Sequence, residues 1–264
     1  MKKLIILGLI GICGIGYSIY YKVPYFARPA ALGEAMVSVQ DNAYNMFYNP
    51  ASINTNSISF GLNEWFIDSR AGTCAGSHKV KDYFTVGGAL SYFTYGQMQY
   101  FNEDGEPGNY FSAGFWQYRL SIAKELYKYF TLGIGSKLLH QSIDTVTETK
   151  LMPDFGLIFK SKYVNVGASV HDLSVSDYKI TTDIGVSAKP INSLLILAAV
   201  NYEEKATIRA GIEYNYKPVF FRVGYADKNL SAGIGYAQKG FVFDYAFVNH
   251  KDLGLTHQFS ITIK

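Results

Sequence analysis

Hydrophobic and polar residues alternate at every second position over most of the chain after residue 56. In Ala206–Tyr216, for example, the even positions are apolar and the odd positions are polar or small. A side-chain period of two predicts β-strands with two different faces. We expect about fourteen strands by this criterion. They are Ser57–Asp68, Thr73–Val80, Phe84–Gln97, Tyr110–Glu125, Tyr129–Ile143, Met152–Lys160, Tyr163–Leu173, Ile180–Lys189, Leu194–Glu203, Ala206–Tyr216, Val219–Ala226, Leu230–Ala237, Phe241–Val248 and His257–Lys264.

Short turn signals separate these segments, among them Glu103-Asp104-Gly105, Lys217-Pro218, Asp227-Lys228-Asn229 and Lys239-Gly240. Turns of this length join antiparallel neighbours, so an up-and-down order is expected. The pattern lacks long helical segments between strands. This disfavours a parallel α/β sheet and the enzymes built on it.

The two faces of the predicted strands differ in a way that favours a membrane barrel. One face carries Tyr, Phe, Ile and Val, and the other mostly Gly, Ser, Ala and Thr. A soluble sandwich, the alternative, would normally place Lys and Glu on its outer face. Apolar residues outside and small or polar residues inside are typical of outer-membrane barrels. For residues 57–264 we therefore expect an all-β fold, a transmembrane antiparallel up-and-down β-barrel of about fourteen strands in the bacterial outer membrane.

The outer face carries two further expectations. Tyrosines near strand ends, such as Tyr92, Tyr95, Tyr214 and Tyr216, would form the aromatic girdles of the barrel. Glu64 falls on the lipid face by strict alternation. Since a carboxylate in lipid is costly, either it lies at the membrane interface or a bulge reverses the register beside it.

The amino-acid composition excludes some classes of protein. The chain has 264 residues, of which 48% are hydrophobic, 16% aromatic and 17% charged. These values exclude a disordered chain. The charged residues that give the net charge of +3 are scattered along the chain and form no blocks of like charge. Nucleic-acid binding is therefore not expected.

The N-terminus has the features of an export signal. Lys2 and Lys3 precede an apolar stretch from Leu4 to Gly16, which predicts a secretory signal peptide at about residues 1–18. The alternative is an uncleaved anchor, because Leu4 to Tyr21 is free of charge and barely long enough to span a bilayer.

The two cysteines do not predict a disulfide. Cys13 follows the bulky Ile12, which disfavours processing as a lipoprotein. After signal cleavage Cys74 is the single cysteine of the chain, so no intramolecular bridge can form.

The region 19–56 does not alternate. Gly33 to Tyr48 has Ala and Met at helix-compatible spacing and stops at Asn49-Pro50, so we expect a short helix and then a turn. Placed before the first strand, this region would act as a hatch or plug in the lumen, with Asn49, Pro50 and Ala51 shaping its turn. The alternative is a periplasmic flap.

Four charged residues fall on the small or polar face of neighbouring predicted strands: Arg209, Glu213, Arg222 and Asp244. They are the candidate lumen charges. Two interpretations are open, a polar wall that guides a ligand or peptide, and mutual neutralisation inside a plugged barrel.

Catalytic and cofactor motifs are not found. The five histidines lack metal-ligand spacing. Gly133-Ile134-Gly135 lies in a strand pattern without a following helix, so it is no phosphate loop, and its glycines are expected to relieve crowding on the inner wall. No G-x-S-x-G occurs in a strand-turn-helix context. We expect a non-enzyme without metal or cofactor.

Several short motifs resemble the PorV/PorQ family of outer-membrane barrels. They are Pro29–Ala35 (PAALGEA), Asp41–Ala43 (DNA), Tyr48–Ser52 (YNPAS), Asn63–Phe66 (NEWF), Asp244–Val248 (DYAFV) and Asp252–Ser260 (DLGLTHQFS). The Asn-Pro-Ala element also resembles the N-terminal hatch of the more distant FadL-type fatty-acid transporters. The resemblance implies a fourteen-stranded FadL-like barrel with an N-terminal plug.

The resemblance leads to two hypotheses about function. The first is a PorV/PorQ-type barrel that takes part in protein export or binds secreted proteins. The alternative is a FadL-like channel for the uptake of hydrophobic small molecules. The implied partners are outer-membrane lipid, the barrel-assembly machinery, and secreted proteins or a hydrophobic ligand. The chain departs from the family by ending at Lys264 rather than at an aromatic residue.

Overall fold

A computed structural model describes residues 25–66, 69–102, 104–173, 180–251 and 254–264 of the chain. In these ranges three short helices precede fourteen strands. The helices are α1 (Ala27–Ala31) and the 3-10 helices η1 (Ala43–Phe47) and η2 (Pro50–Ser52). The strands are β1 (Ser57–Glu64), β2 (Arg70–Val80), β3 (Phe84–Phe101), β4 (Pro107–Tyr127), β5 (Phe130–Ile143), β6 (Val146–Lys160), β7 (Val164–His171), β8 (Thr181–Ile191), β9 (Leu194–Tyr202), β10 (Ala206–Tyr216), β11 (Val219–Ala226), β12 (Asn229–Gln238), β13 (Phe241–His250) and β14 (Gly254–Ile263). The predicted signal peptide at residues 1–18 lies outside the described residues.

The strands close into a barrel. Each pairs antiparallel with its neighbours in sequence, and β14 pairs with β1 from Ile58 opposite Ile263 to Glu64 opposite His257. Closure removes the sheet edges, which a bilayer does not tolerate because lipid cannot hydrogen-bond to the backbone. The predicted fourteen-stranded up-and-down barrel is confirmed, and the sandwich is excluded.

The outer wall of the barrel is apolar. Along β1, Ile58, Phe60 and Leu62 are exposed, while Ser59 and Asn63 are buried on the inner face. The other strands repeat this alternation, so that exposed apolar side chains surround the barrel. Such a wall is stable only against lipid, and the barrel therefore spans the bacterial outer membrane. Among the described residues, no helix has the length and apolar character needed to cross a bilayer.

The two ends of the barrel differ in their connections. β1 begins and β14 ends at one end, where turns of two or three residues join the strands. At the other end, the connections over residues 65–69, 102–106 and 172–180 are longer. Outer-membrane barrels have short periplasmic turns and longer extracellular loops. The first end is accordingly the periplasmic end, and the second is the extracellular end.

Residues 25–56, here called the lumenal segment, lie inside the barrel. α1 packs against β11–β14, η1 against β1–β3 and η2 against β4–β6. Nearly all residues from 25 to 53 are buried. The helices of the lumenal segment therefore contact the wall around most of the barrel.

The helix predicted over Gly33 to Tyr48 is wrong in extent. Within that range the structure forms the 3-10 helix η1, and α1 lies before it. Asparagine side chains explain the difference, since Asn45 Nδ2 donates to the carbonyl of Val39 at 3.1 Å and Asn49 Nδ2 to that of Val37 at 2.8 Å. Side-chain bonds of this kind satisfy the backbone without a regular helix.

Two expectations for the outer face have different outcomes. Glu64 is the last residue of β1, and its pairings with Arg70 and His257 continue without a bulge. It therefore lies at the membrane interface, as the first of the two interpretations requires. The girdle prediction is wrong for Tyr95, whose ring lies 4.7 Å from that of the buried Phe93 on the inner face.

Glycine on the inner wall allows the lumenal segment to approach the strands. A Cβ atom at Gly133 of β5 would collide with the backbone of Pro50 and Ala51. A Cβ atom at Gly88 of β3, on the outer face, would meet only ordinary contacts, of which the nearest is Leu120 Cδ2 at 3.7 Å.

We expect Gly133→Ala to lower stability because its methyl group displaces η2. Overpacking of this kind typically costs about 1–3 kcal/mol. The temperature at which the folded band disappears from an SDS gel should fall for Gly133→Ala and stay nearly unchanged for Gly88→Ala. Equal changes in the two variants would contradict the close contact between η2 and β5.

Candidate functional site in the barrel lumen

Asn49, Pro50 and Ala51 form a turn that holds the lumenal segment against two strands. Asn49 Nδ2 lies 3.2 Å from the carbonyl oxygen of Leu157 in β6 and 3.3 Å from that of Ala168 in β7. Asn49 Oδ1 accepts from the backbone N–H of Ala51 at 2.9 Å. Pro50 begins η2, where its missing N–H leaves no hydrogen bond unmade. One buried amide thus joins the turn to the wall.

A chain of alternating charges, here called the ion network, joins α1 to β10, β11 and β13 of the adjacent wall. Arg28 donates to both carboxylate oxygens of Glu213, at 2.7 and 3.0 Å, and to Asp41 at 2.7 Å. Arg222 donates to Glu213 at 2.6 Å and to Asp244 at 2.7 Å. Three of the four candidate lumen charges therefore meet in one network, and Arg28 of the lumenal segment completes it.

The ion network is buried near the periplasmic end. The side chains of Arg222 and Asp244 are each 1% exposed. A cavity of about 280 Å³ lies beside them and is also lined by Tyr44, Lys189 and Lys264. Charge-assisted hydrogen bonds between buried groups are strong, and the loss of one partner leaves an uncompensated charge. The network therefore holds α1 in the lumen.

Arg209 does not belong to the ion network. Its Nη1 lies 3.5 Å from Asp183 Oδ1, and Asn201 Nδ2 donates to the same carboxylate at 2.9 Å. Arg209 thus lies on the inner face like the other three candidate lumen charges, but it pairs with a residue outside the ion network. Strict alternation correctly predicts that Arg209 faces the lumen. Its partner Asp183, however, is on β8, two strands away along the wall.

A second group of buried charges lies on the other side of the lumen. Arg119 Nη1 donates to Asp154 Oδ2 at 2.8 Å, and His171 Nδ1 lies 3.4 Å from the same oxygen. Lys137, whose side chain is fully buried, pairs with Asp172. None of these residues is among the candidate lumen charges, although Arg119, Lys137 and Asp154 fall on the small or polar face of β4, β5 and β6.

The second group of charges also contacts the lumenal segment. The Arg119 guanidinium lies 5.2 Å above the ring of Phe47. The hydroxyl of Tyr25 donates to Gln117 Oε1 at 2.8 Å. His171 Nε2 lies 2.9 Å from the carbonyl oxygen of Tyr48. Polar contacts therefore join the segment to both sides of the lumen.

On the extracellular side of these charges, the inner wall turns apolar. The side chains that face each other there form the lumenal aromatic cluster, which comprises Ala71, Phe93, Phe115, Leu139 and Met152, with Trp65 and Tyr95 packed against them. The Phe93 and Phe115 rings stack at 5.2 Å, and Trp65 meets Phe93 edge-on at 6.1 Å. Concave sites for small molecules are lined mostly by such side chains, with a few polar groups alongside.

The sequence contains a signal for the lumenal aromatic cluster that was not used. Phe93 has the same parity as Ser91, and Phe115 has the same parity as Gln117. Large aromatic residues on the polar face of a predicted membrane strand are exceptions to the alternation. Reading these exceptions together would have located an apolar lumen site.

We expect Arg222→Gln to destabilise the barrel by about 3–5 kcal/mol, because it leaves Asp244 buried without its cation. Lys205→Gln is the matched control, since its ammonium lies 3.8 Å from Asp227 on the exposed surface and such pairs contribute little. Urea unfolding in phospholipid vesicles compares the two variants. Equal losses would contradict the role assigned to the ion network.

Known proteins resemble this chain in structure but not in sequence. No protein-family model and no curated protein matches the chain. The toluene transporter TodX of Pseudomonas putida superposes with a TM-score of 0.71 at 11% identity, covering 93% of this chain and 98% of that one. The toluene transporter TbuX of Ralstonia pickettii gives a TM-score of 0.71 at 13% identity, with 90% and 97% covered.

A FadL homologue of Pseudomonas aeruginosa gives a TM-score of 0.66 at 12% identity, covering 92% of this chain and 98% of that one. At these identities the likeness concerns the fold alone. The predicted membership of the PorV/PorQ family stays a prediction. The chain has the fold of the FadL-type outer-membrane barrels.

Proposed function

We propose that this protein is a FadL-like channel that takes hydrophobic small molecules across the outer membrane. The observation that carries the proposal is the lumenal aromatic cluster at the extracellular side of the lumen. Its residues face inward, where lipid cannot stabilise them, and most of them are on strands of the wall. Because these side chains are packed against one another, an apolar molecule arriving from outside leaves water there by separating them and taking the place of part of this packing.

The lumenal segment acts in this proposal as the hatch. It fills the lumen on the periplasmic side of the cluster and is held by Asn49 and by the ion network. A molecule bound at the cluster can therefore proceed only when the segment shifts. The interruption of the β3–β4 ladder between Thr94 and Gln97 lies beside the cluster and loosens the wall there.

The similar structures add support, because TodX and TbuX are toluene transporters. The export role expected from the PorV/PorQ resemblance has no such support and remains the second hypothesis. Crosslinking in cells separates the two, since an export barrel should yield a defined secreted partner and a channel should not.

We expect Phe93→Ala to weaken the binding of an apolar aromatic probe by about tenfold, because a buried ring surface is lost. Toluene is the probe, and the intrinsic fluorescence of Trp65 is the signal. Trp116 on the outer face is replaced by Phe in every variant to remove its emission.

Tyr92→Ala is the matched control for Phe93→Ala. It deletes a ring from the neighbouring position on the lipid face of β3. Equal effects of the two substitutions, or no toluene-dependent change in Trp65 emission, would contradict a ligand site at the cluster.

Deletion of residues 33–52 should open the lumen because η1, η2 and the Asn49 anchor are lost together. In vesicles we expect increased leakage of small polar solutes and altered uptake of hydrophobic dyes. The heat-dependent gel shift checks that the barrel still forms. A folded deletion variant with unchanged leakage and uptake would rule out the channel.

A further inference from the structure

Lysines surround the periplasmic end of the barrel. Five of the six turns at this end contain one, and in the β8–β9 connection the lysine lies two residues before the end of β8. These lysines, here called the basic rim, are Lys81, Lys128, Lys162, Lys189, Lys217 and Lys239, and all of them are exposed.

The positive charge of the basic rim exceeds the negative charge around it. Within three residues of these six turns, the described acidic residues are Asp82 and Glu125. Glu125 is paired with Lys160. Net positive potential therefore remains along the periplasmic end.

The extracellular end lacks this imbalance. Its lysines are interspersed with carboxylates, as in Glu203, Glu204 and Lys205, and Lys205 lies 3.8 Å from Asp227. The excess of lysine is therefore a property of one end of the barrel and not of the whole surface.

Aromatic side chains fix the depth of the basic rim in the membrane. The Lys162 ammonium lies 4.9 Å above the ring of Tyr163, and the Lys128 ammonium lies 5.6 Å from that of Tyr129. Both tyrosines are exposed at the ends of lipid-facing strands. Tyrosine rings at such positions sit at the level of the lipid headgroups, and lysine side chains extend to the same level.

We propose that the basic rim binds the anionic headgroups of phospholipids in the periplasmic leaflet of the outer membrane. The lysines follow the complete circumference of a closed barrel, which matches an annulus of lipid and not the one-sided patch of a docked protein. Each lysine near an anionic leaflet adds attraction. The rim thus selects phospholipids with a net negative headgroup, such as phosphatidylglycerol, as neighbours. This inference is independent of the proposed transport function.

The test measures which lipid the barrel prefers. The full chain is reconstituted in phosphatidylcholine vesicles with a trace of spin-labelled phosphatidylglycerol or spin-labelled phosphatidylcholine. Electron paramagnetic resonance then gives the immobilised fraction of each. We expect a several-fold preference for phosphatidylglycerol that decreases at high salt, because salt screens exposed charges. Equal immobilisation of the two lipids would overturn the proposal.

Two matched triple variants show which end of the barrel causes the preference for phosphatidylglycerol. Lys128→Gln, Lys162→Gln and Lys239→Gln together remove half of the basic rim, and we expect the preference to fall at least about twofold. The control combines Lys205→Gln, Lys228→Gln and Lys251→Gln at the extracellular end. We expect this control to retain the preference for phosphatidylglycerol. Both must retain the heat-dependent gel shift.

A folded rim variant with the preference of the unmodified protein would overturn the proposal. So would an equal loss in the extracellular control, because the selectivity would then come from overall charge. Loss of the preference in the rim variant alone supports lipid binding. Retention of an acidic periplasmic protein by a rim that shows no lipid preference would assign the lysines to a protein partner instead.

Discussion

The pairing of β14 with β1 is the interaction on which the rest of the structure depends. In lipid, a strand with unpaired N–H and C=O groups is too costly, so the sheet must close. Closure forces alternate side chains to opposite sides of one wall. The outward residues are then apolar, and the inward residues enclose a space that must be filled or lined. The lumenal segment, the buried charges and the lumenal aromatic cluster all follow from that requirement.

Apolar packing, polar bonds and close backbone contact together hold the lumenal segment in the barrel. Glycines such as Gly133 let the segment reach the wall, and Asn49 and Arg28 then bind groups on it. These bonds are directional and lie in a water-poor interior, where broken partners are costly. Such attachment gives the segment one defined position in the lumen. A segment held by apolar packing alone would have less defined contacts.

The sequence predicted the barrel because the membrane imposes the same alternation on every strand. Strand β10, for example, begins at Ala206 and ends at Tyr216, as predicted. The interior was harder, since its contacts join residues far apart in sequence: Arg28 with Glu213, and Asn49 with Leu157 and Ala168. The inward face of Arg209 was predictable, but its partner Asp183 depends on side-chain reach across the wall. The irregular path of residues 33–42 depends on asparagine side-chain bonds that no periodic pattern encodes.

Under the proposed function, hydrophobic molecules pass only when the lumenal segment moves. The most direct measurement tethers η1 to the wall with Met46→Cys and Gly87→Cys in a Cys74→Ser background, since a Cβ atom at Gly87 would lie 2.7 Å from Cε at the flexible end of the Met46 side chain. Toluene uptake by vesicles is followed before and after reduction, with each single cysteine as control. We expect the oxidised pair to block uptake and reduction to restore it. Equal uptake in the oxidised and reduced forms would contradict it.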